Sequence, residues 1–186
     1  MEVNDAIYGR RAIRTYAREP VPREALRMLV DAAVQAPSAM NEQPWVFTIV
    51  TEQTLLARIS RAATAHLLAT DAFGAHGARL RPMLSDPAYQ IFYGAPALVV
   101  IAAPEDGPFA VADCALAAQN LLLAACAAGL GTCWIGLAQP WLASAEGRAT
   151  LGLAAHLLPV APIIVGRPQA TPGAVVRKSP DVRWLI

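Results

Sequence analysis

Three segments of the chain concentrate side chains able to hold an anion or a flat heterocycle. The first, "GRRAIRTY" (residues 9 to 16), places Arg10, Arg11 and Arg14 within five positions. A guanidinium is a planar fork of donors that meets phosphate oxygens two at a time, so such a cluster suits a phosphorylated ligand. The second, "QAPSAMNEQPWVF" (35 to 47), packs Pro37, Ser38, Asn41, Gln43 and Pro44 into eight positions, ending directly on a tryptophan. Short polar side chains beside a rigid proline can bond a phosphate, a polyol or the edge of a ring. The third, "GLGTCWIGLA" (129 to 138), is glycine-rich. Its glycines permit close backbone approach to a flat ligand, and an extended chain puts residues 133 and 135 on one face. Each segment alone has a plainer reading: a solvated basic turn, a helix-to-strand connector with local side-chain bonds, and a glycine-capped helix entering a buried strand.

The elements that must position these groups alternate. A short helix over Val3 to Gly9 precedes the arginines. Residues 22 to 35 read as a helix, with Pro22 in the first turn, Leu26, Leu29, Val30 and Ala33 at helical spacing, and Pro37 as the stop. Trp45 to Val50 reads as a strand, residues 53 to 63 as a helix, and 64 to 92 as short helices and turns around Gly74, Gly77, Pro82 and Pro87. "APALVVIAAP" (95 to 104) is a continuous apolar strand of a sheet interior. Residues 109 to 128 form the strongest helix, stopped by Gly129 and Gly131; its only polar members are Asp113, Gln119 and Asn120, so it must be buried in a core or against another subunit. Residues 132 to 136 read as extended, 140 to 149 as a helix, and 160 to 166 as a strand. The pattern predicts one domain over residues 1 to 186, α/β or α+β, with helices on both faces of a small sheet.

Bulk properties remove several function classes. The 186 residues are 55% hydrophobic and 16% charged, with net charge +1, which excludes disorder as the main state and gives no footprint for nucleic acid or an anionic membrane. The three cysteines, Cys114, Cys126 and Cys133, form no CxxC pair, and His66, His76 and His156 are scattered without metal-ligand spacing. No metal site is expected. With an acidic N-terminus lacking a basic n-region and a longest apolar run (Leu121 to Gly131) too short for a bilayer, a cytoplasmic location is expected. Neither GxGxxG opening a helix nor GxxxxGK[ST] occurs, so no Rossmann or P-loop site is supported.

Taken together, the three segments resemble the nitroreductase family of flavin-dependent oxidoreductases, in order and spacing along nearly the whole chain. "RRAIRTY" resembles the family's N-terminal RRSxR motif, and "APSAMNEQPWVF" its APSxxNxQPWxF loop. "DCALAAQNLLLAACAAGLGTCWIG" is similar to its central helix and flavin loop, and "VAPIIVGRP" followed by "RKSP" to its last strand and basic tail. The resemblance implies an α+β, three-layer fold with a mixed central sheet flanked by helices, and a C-terminal tail exchanged with the partner subunit. It implies FMN at the interface of a homodimer, NADH or NADPH as reductant, and a small-molecule substrate. Arg10 and Arg177 would hold the FMN phosphate, helped by Arg11 or Lys178, with Arg14 at the pyrimidine edge. Ser38, Ala39 and Asn41 would come from the other subunit, Pro37 and Gln43 of the same loop would also contact the cofactor, and Cys133, Ile135 and Gly136 would line the ring. Ala12 replaces the usual serine of the first motif, and Ala39 a common serine or glycine of the second, which leaves backbone in place of two hydroxyls.

The same resemblance implies a two-step cycle, in which NAD(P)H reduces the flavin and a nitroaromatic, quinone or related acceptor then takes the same pocket. No side-chain acid is required. Reductive dehalogenation, flavin cleavage and a non-catalytic flavin-binding protein are the alternatives on this fold. Substrate choice is expected in residues 60 to 93, where Phe73, Tyr89, Phe92 and Tyr93 offer rings for stacking or packing.

Overall fold

A computed structural model describes residues 1–70 and 74–185 of the chain; Phe73 and the side chain of His76 lie outside the described residues. Four strands form one sheet in the order β1 (Val46–Val50), β2 (Ala97–Pro104), β4 (Leu157–Gly166), β3 (Gly131–Trp134). Side chains of β2 alternate across the sheet, as a pleated strand requires. Leu98, Val100 and Ala102 join one core cluster, whereas Ala97, Val99, Ile101 and Ala103 join the other. Both faces are therefore covered, and β2 reads as an unbroken apolar run for that reason.

The first face is covered by α3 (Gln53–Ala69), α6 (Gln139–Leu142) and the segment from Leu84 to Ala95. The second is covered by α2 (Arg23–Ala33) and α5 (Ala110–Ala127). In α2, Leu26, Leu29 and Ala33 are the buried positions, one stripe of an amphipathic helix. Helix α5 lays Ala110, Cys114, Ala117, Ala118, Leu121 and Ala125 inward; these small residues let it approach the sheet closely. Helix α1 (Val3–Gly9) packs on α5, with Ala6 buried.

Several boundaries differ from the sequence reading. The expected mixed sheet is antiparallel at each strand pairing, and among the described residues its parallel component is a single bridge between Ala12 and Thr132. Helix α3 runs six residues past position 63, because Ala63 and Leu67 continue the buried stripe begun by Leu56 and Ile59. Residues 64 to 92 hold the end of α3 and α4 (Gly74–Leu84), which carries Pro82 inside it. The expected helix 140 to 149 is split into α6 and α7 (Ala145–Thr150), since the Ser144 hydroxyl accepts from the Gly147 N–H (3.1 Å) and caps a new helix. Strand β4 starts at Leu157, and the register shifts between Ile101 and Ala102, next to Pro159, while Pro162 pairs with Val100. By length and composition α5 is apolar enough to cross a membrane (18 residues, mean hydropathy 1.6); its inner face instead packs on α2 and the sheet.

Candidate functional site

The arginine segment is an extended strap laid along the outer edge of β3. The Ile13 N–H donates to the Thr132 carbonyl (2.9 Å), Ala17 to Arg167 (2.9 Å), and Gln169 back to Thr15 (3.1 Å). The Tyr16 hydroxyl donates to the Ile13 carbonyl (2.7 Å), and burial pushes that phenol well above its ordinary pKa. Close approach depends on Gly131: a Cβ there would stand 2.8 Å from Ile13 Cγ1. The glycine of "GLGT" thus serves the strap.

Between strap and α5 lies a cavity of about 120 Å³, lined among others by Arg10, Arg11, Cys126, Gly129, Gly131 and Thr132. The Arg10 Nε is buried there without a hydrogen-bond partner, and no ion pair to Arg10 occurs among the described residues. A buried, unpartnered guanidinium nitrogen is costly unless a ligand completes it. Arg11 differs. Its guanidinium donates to the carbonyls of Tyr8 (2.7 Å), Arg10 (2.9 Å) and Gly173 (3.2 Å), so it ties α1, the strap and the C-terminal segment together.

Further along β3, Cys133 and Ile135 are both buried and Gly136 is exposed. The Ile135 N–H is engaged by the Pro162 carbonyl (2.8 Å), whereas the Gly136 N–H has no partner among the described hydrogen bonds. Space around Gly136 is open, with nothing within 4 Å of where a Cβ would sit. Burial pushes the Cys133 thiol up, against a downward pull from Arg14 and Arg10; it is therefore a neutral thiol at neutral pH, not an activated nucleophile. The charges of Arg14 and Arg10 both reach this sulfur, which places the two arginines, the strap and residues 133 to 136 around one region.

The loop from Pro37 to Gln43 is a wound turn, in which Met40, Asn41 and Gln43 all take positive φ (52°, 58° and 50°). Its polar side chains hold the turn itself. The Ser38 hydroxyl accepts from the Gln43 N–H (2.9 Å), and the Gln43 amide donates to the Asn41 side chain (3.2 Å). The anchor is Asp113, buried in the first turn of α5, whose carboxylate accepts from the Ala39 N–H (3.1 Å). Asp113 was not singled out for chemistry by the sequence; a lone acid in an alanine-rich helix is the signal that could have found it. Met40 at the tip is fully exposed and Trp45 packs at the rim of the α2–α5 core.

The structure does not gather all the sequence-selected residues in one chain. The loop is fixed at the N-terminal end of α5, while Cys126 at the other end lines the arginine cavity. Thirteen residues of helix separate the two anchor points, roughly 20 Å at 1.5 Å per residue. Arg177 and Lys178 lie on an exposed tail without regular secondary structure and make no hydrogen bond or ion pair among the described residues. Of the rings in residues 60 to 93, Phe92 is a core residue, and Tyr89 and Tyr93 are half-buried.

With this geometry in hand, comparison with known proteins is specific. The family model described as "Nitroreductase family" matches residues 7–167. A protein of Methanothermobacter thermautotrophicus described as an NADH dehydrogenase/NAD(P)H nitroreductase is 33% identical over 185 residues, 97% of this chain and 85% of its own length. The crystal structure of a nitroreductase with bound FMN from Bacteroides fragilis has a TM-score of 0.87 at 26% identity, covering 100% of this chain and 99% of that one. An iodotyrosine deiodinase of Haliscomenobacter hydrossis matches at 35% identity over only 54 residues, 29% of this chain and 24% of its own.

Proposed function

The chain belongs to the nitroreductase family, and from that premise we propose that it binds FMN and uses NAD(P)H to reduce a small oxidised acceptor, such as a nitroaromatic or a quinone, in two half-reactions. Bound FMN would supply the redox chemistry between nicotinamide and acceptor, and the chain's own residues would hold and orient it. The observation that carries this reading is the Arg10 Nε, buried and unpartnered beside a cavity with glycine-rich backbone.

Arg10 binds the phosphate, with Arg11 held beside it by three carbonyls and Arg177 or Lys178 closing from the tail. The backbone from Cys133 to Gly136 backs the ring, with the Cys133 and Ile135 side chains buried in the core behind it, and the Gly136 N–H has no partner among the described hydrogen bonds. Arg14 supplies positive charge where negative charge develops on reduction; such charge acts strongly in a partly dry site. Neither a titrating acid nor a thiolate is needed, in keeping with the neutral Cys133.

The second half of the site comes from a second copy of the chain. A two-fold axis that packs α5 antiparallel against its copy brings the 37–43 loop of one protomer to the arginine cavity of the other, across the 20 Å that a single chain leaves open. Pro37, Ser38, Ala39, Asn41 and Gln43 then face a cofactor held mainly by the neighbour. The surface supports this reading: Val111 and Leu116 of α5 are exposed apolar side chains that a second copy would cover.

The decisive test is direct. Purified protein is saturated with FMN, its absorption is followed on adding NADPH or NADH, and a nitroaromatic or quinone is then supplied. Bleaching by the nicotinamide and recovery with the acceptor are expected. Failure to bind FMN, or FMN that stays oxidised with both nicotinamides, overturns the proposal.

A further inference from the structure

Tyr93 is the only aromatic residue with positive φ among the described residues (52°), and it is followed by Gly94 at 67°. Two successive left-handed residues are expected where glycine or asparagine stands, and a bulky aromatic there is strained. The ring packs at the edge of the core cluster that holds Ile91 and Phe92, but the turn itself does not need it. The turn is closed by backbone alone, with the Tyr93 N–H on the Gln90 carbonyl (2.9 Å) and the Ala95 N–H on the Phe92 carbonyl (2.9 Å). What the strained backbone achieves is the ring's position. Arg14 Cζ lies 5.9 Å from its centroid, within the range of a cation–π contact.

The ring is in turn fixed by a second one. Tyr89 and Tyr93 meet edge to face, with centroids 5.9 Å apart and planes at 88°, and their hydroxyls are 3.1 Å apart. Arg14 itself is exposed, and no ion pair or hydrogen bond to it occurs among the described residues. Its donors are therefore free for a ligand while its position is set by the Tyr93 face.

We propose that Tyr93, braced by Tyr89, is a positioning residue that holds the Arg14 guanidinium against the cofactor and so sets how strongly the site prefers reduced over oxidised FMN. This inference rests on the FMN reading given above. It assigns the segment after α4, besides any contact with substrate, a task in tuning the cofactor through Arg14.

The test uses the full-length protein and reads binding, not turnover. Dissociation constants for FMN and the midpoint potential of bound FMN are measured for wild type, Tyr93→Asn, Tyr93→Phe, Arg14→Ala and the double variant Arg14→Ala/Tyr93→Asn. Asparagine suits the left-handed backbone, so its loss of the ring is not confounded by added strain. Tyr93→Asn is expected to lower the ratio of reduced to oxidised FMN affinity roughly two- to fivefold, the worth of an exposed cation–π contact. The potential falls accordingly, at about 30 mV per tenfold. Tyr93→Phe, which keeps the ring, should retain most of the preference. In the Arg14→Ala background the Tyr93→Asn effect should vanish. An unchanged ratio in Tyr93→Asn, or an equal drop with and without Arg14, overturns the positioning role while leaving FMN binding intact. If Tyr93→Asn does not fold, the Tyr93→Phe and Tyr89→Phe proteins decide: a preference lost entirely in Tyr93→Phe, or unaltered ring geometry but lost preference in Tyr89→Phe, contradicts a role carried by the ring face. Wild type that binds no FMN overturns this inference together with the reading beneath it.

Discussion

Arg10 and Arg11 are neighbours in sequence and opposites in their hydrogen bonding, which the sequence alone does not reveal. Arg11 satisfies three carbonyls and holds the strap together; Arg10 is left with a buried nitrogen that has no partner among the described residues. Each charge-assisted contact to phosphate is worth roughly 1.5–3 kcal/mol. Arg10→Ala should therefore weaken FMN about ten- to a hundredfold while leaving unfolding by urea unchanged or slightly improved, since an uncompensated buried group is removed. Arg11→Ala should do the reverse, lowering stability first. Parallel titration calorimetry and denaturation curves check both, and a destabilised Arg10→Ala with normal FMN affinity would mean that the two roles are exchanged. Asp113 extends the same logic. Its carboxylate is buried against a backbone N–H of a loop with three left-handed residues, so Asp113→Ala leaves that N–H unpaired at a cost of about 1–3 kcal/mol and loosens the loop. Faster proteolysis within residues 37–43 is the expected sign.

At the scale of elements, two glycines of one segment make opposite predictions. An alanine at Gly131 would press its Cβ within 3 Å of three Ile13 carbons, and overpacking of this kind costs typically 1–3 kcal/mol. Gly131→Ala should lower the unfolding midpoint and displace the strap, so that stability and FMN affinity fall together. An alanine at Gly136 meets nothing. Gly136→Ala should leave stability unchanged but weaken FMN, because its methyl group occupies the space proposed for the ring; unaltered affinity would remove Gly136 from the site. The sequence made both glycines visible, Gly131 as a helix stop and Gly136 at the ring, but not the strap that Gly131 accommodates. What separated them was long-range: the strap edge that crowds Gly131 lies more than a hundred positions away. The same limit explains the other differences. Helical spacing located α2 and α5 well, since Leu26, Leu29 and Ala33 repeat within one element. The antiparallel order β1-β2-β4-β3 is set by partners distant in sequence, and no local pattern in "VAPIIVG" records them. Ser144 was legible as a cap only once a helix break was seen to need one.

At the scale of the whole molecule, α5 poses a question that one chain cannot answer. Its inner face packs on the sheet, yet Val111 and Leu116 on its outer face are 57% and 46% exposed, and Phe109, Trp184 and Leu185 are more than half exposed as well. Residues 169–185 are exposed throughout, and covering that segment together with the outer face of α5 suits an obligate dimer interface. Sedimentation at micromolar concentration should find dimers, and a folded, soluble monomer would contradict the shared site. Dimerisation alone, however, does not show that the loop crosses to the neighbour. Mixing two defective proteins does. If each site takes Arg10 from one chain and Asn41 from the other, Arg10→Ala and Asn41→Ala homodimers are each impaired at both sites. In a mixed dimer one site collects both substitutions and the other neither. Random reassortment makes roughly half of the dimers mixed, so about a quarter of all sites recover. FMN-dependent activity after joint unfolding and refolding should rise above both parents, with separately refolded parents remaining low. Should heterodimers form and activity stay at the parental level, Arg10 and Asn41 serve the same chain's site, and the roughly 20 Å along α5 must be closed by a rearrangement within one protomer.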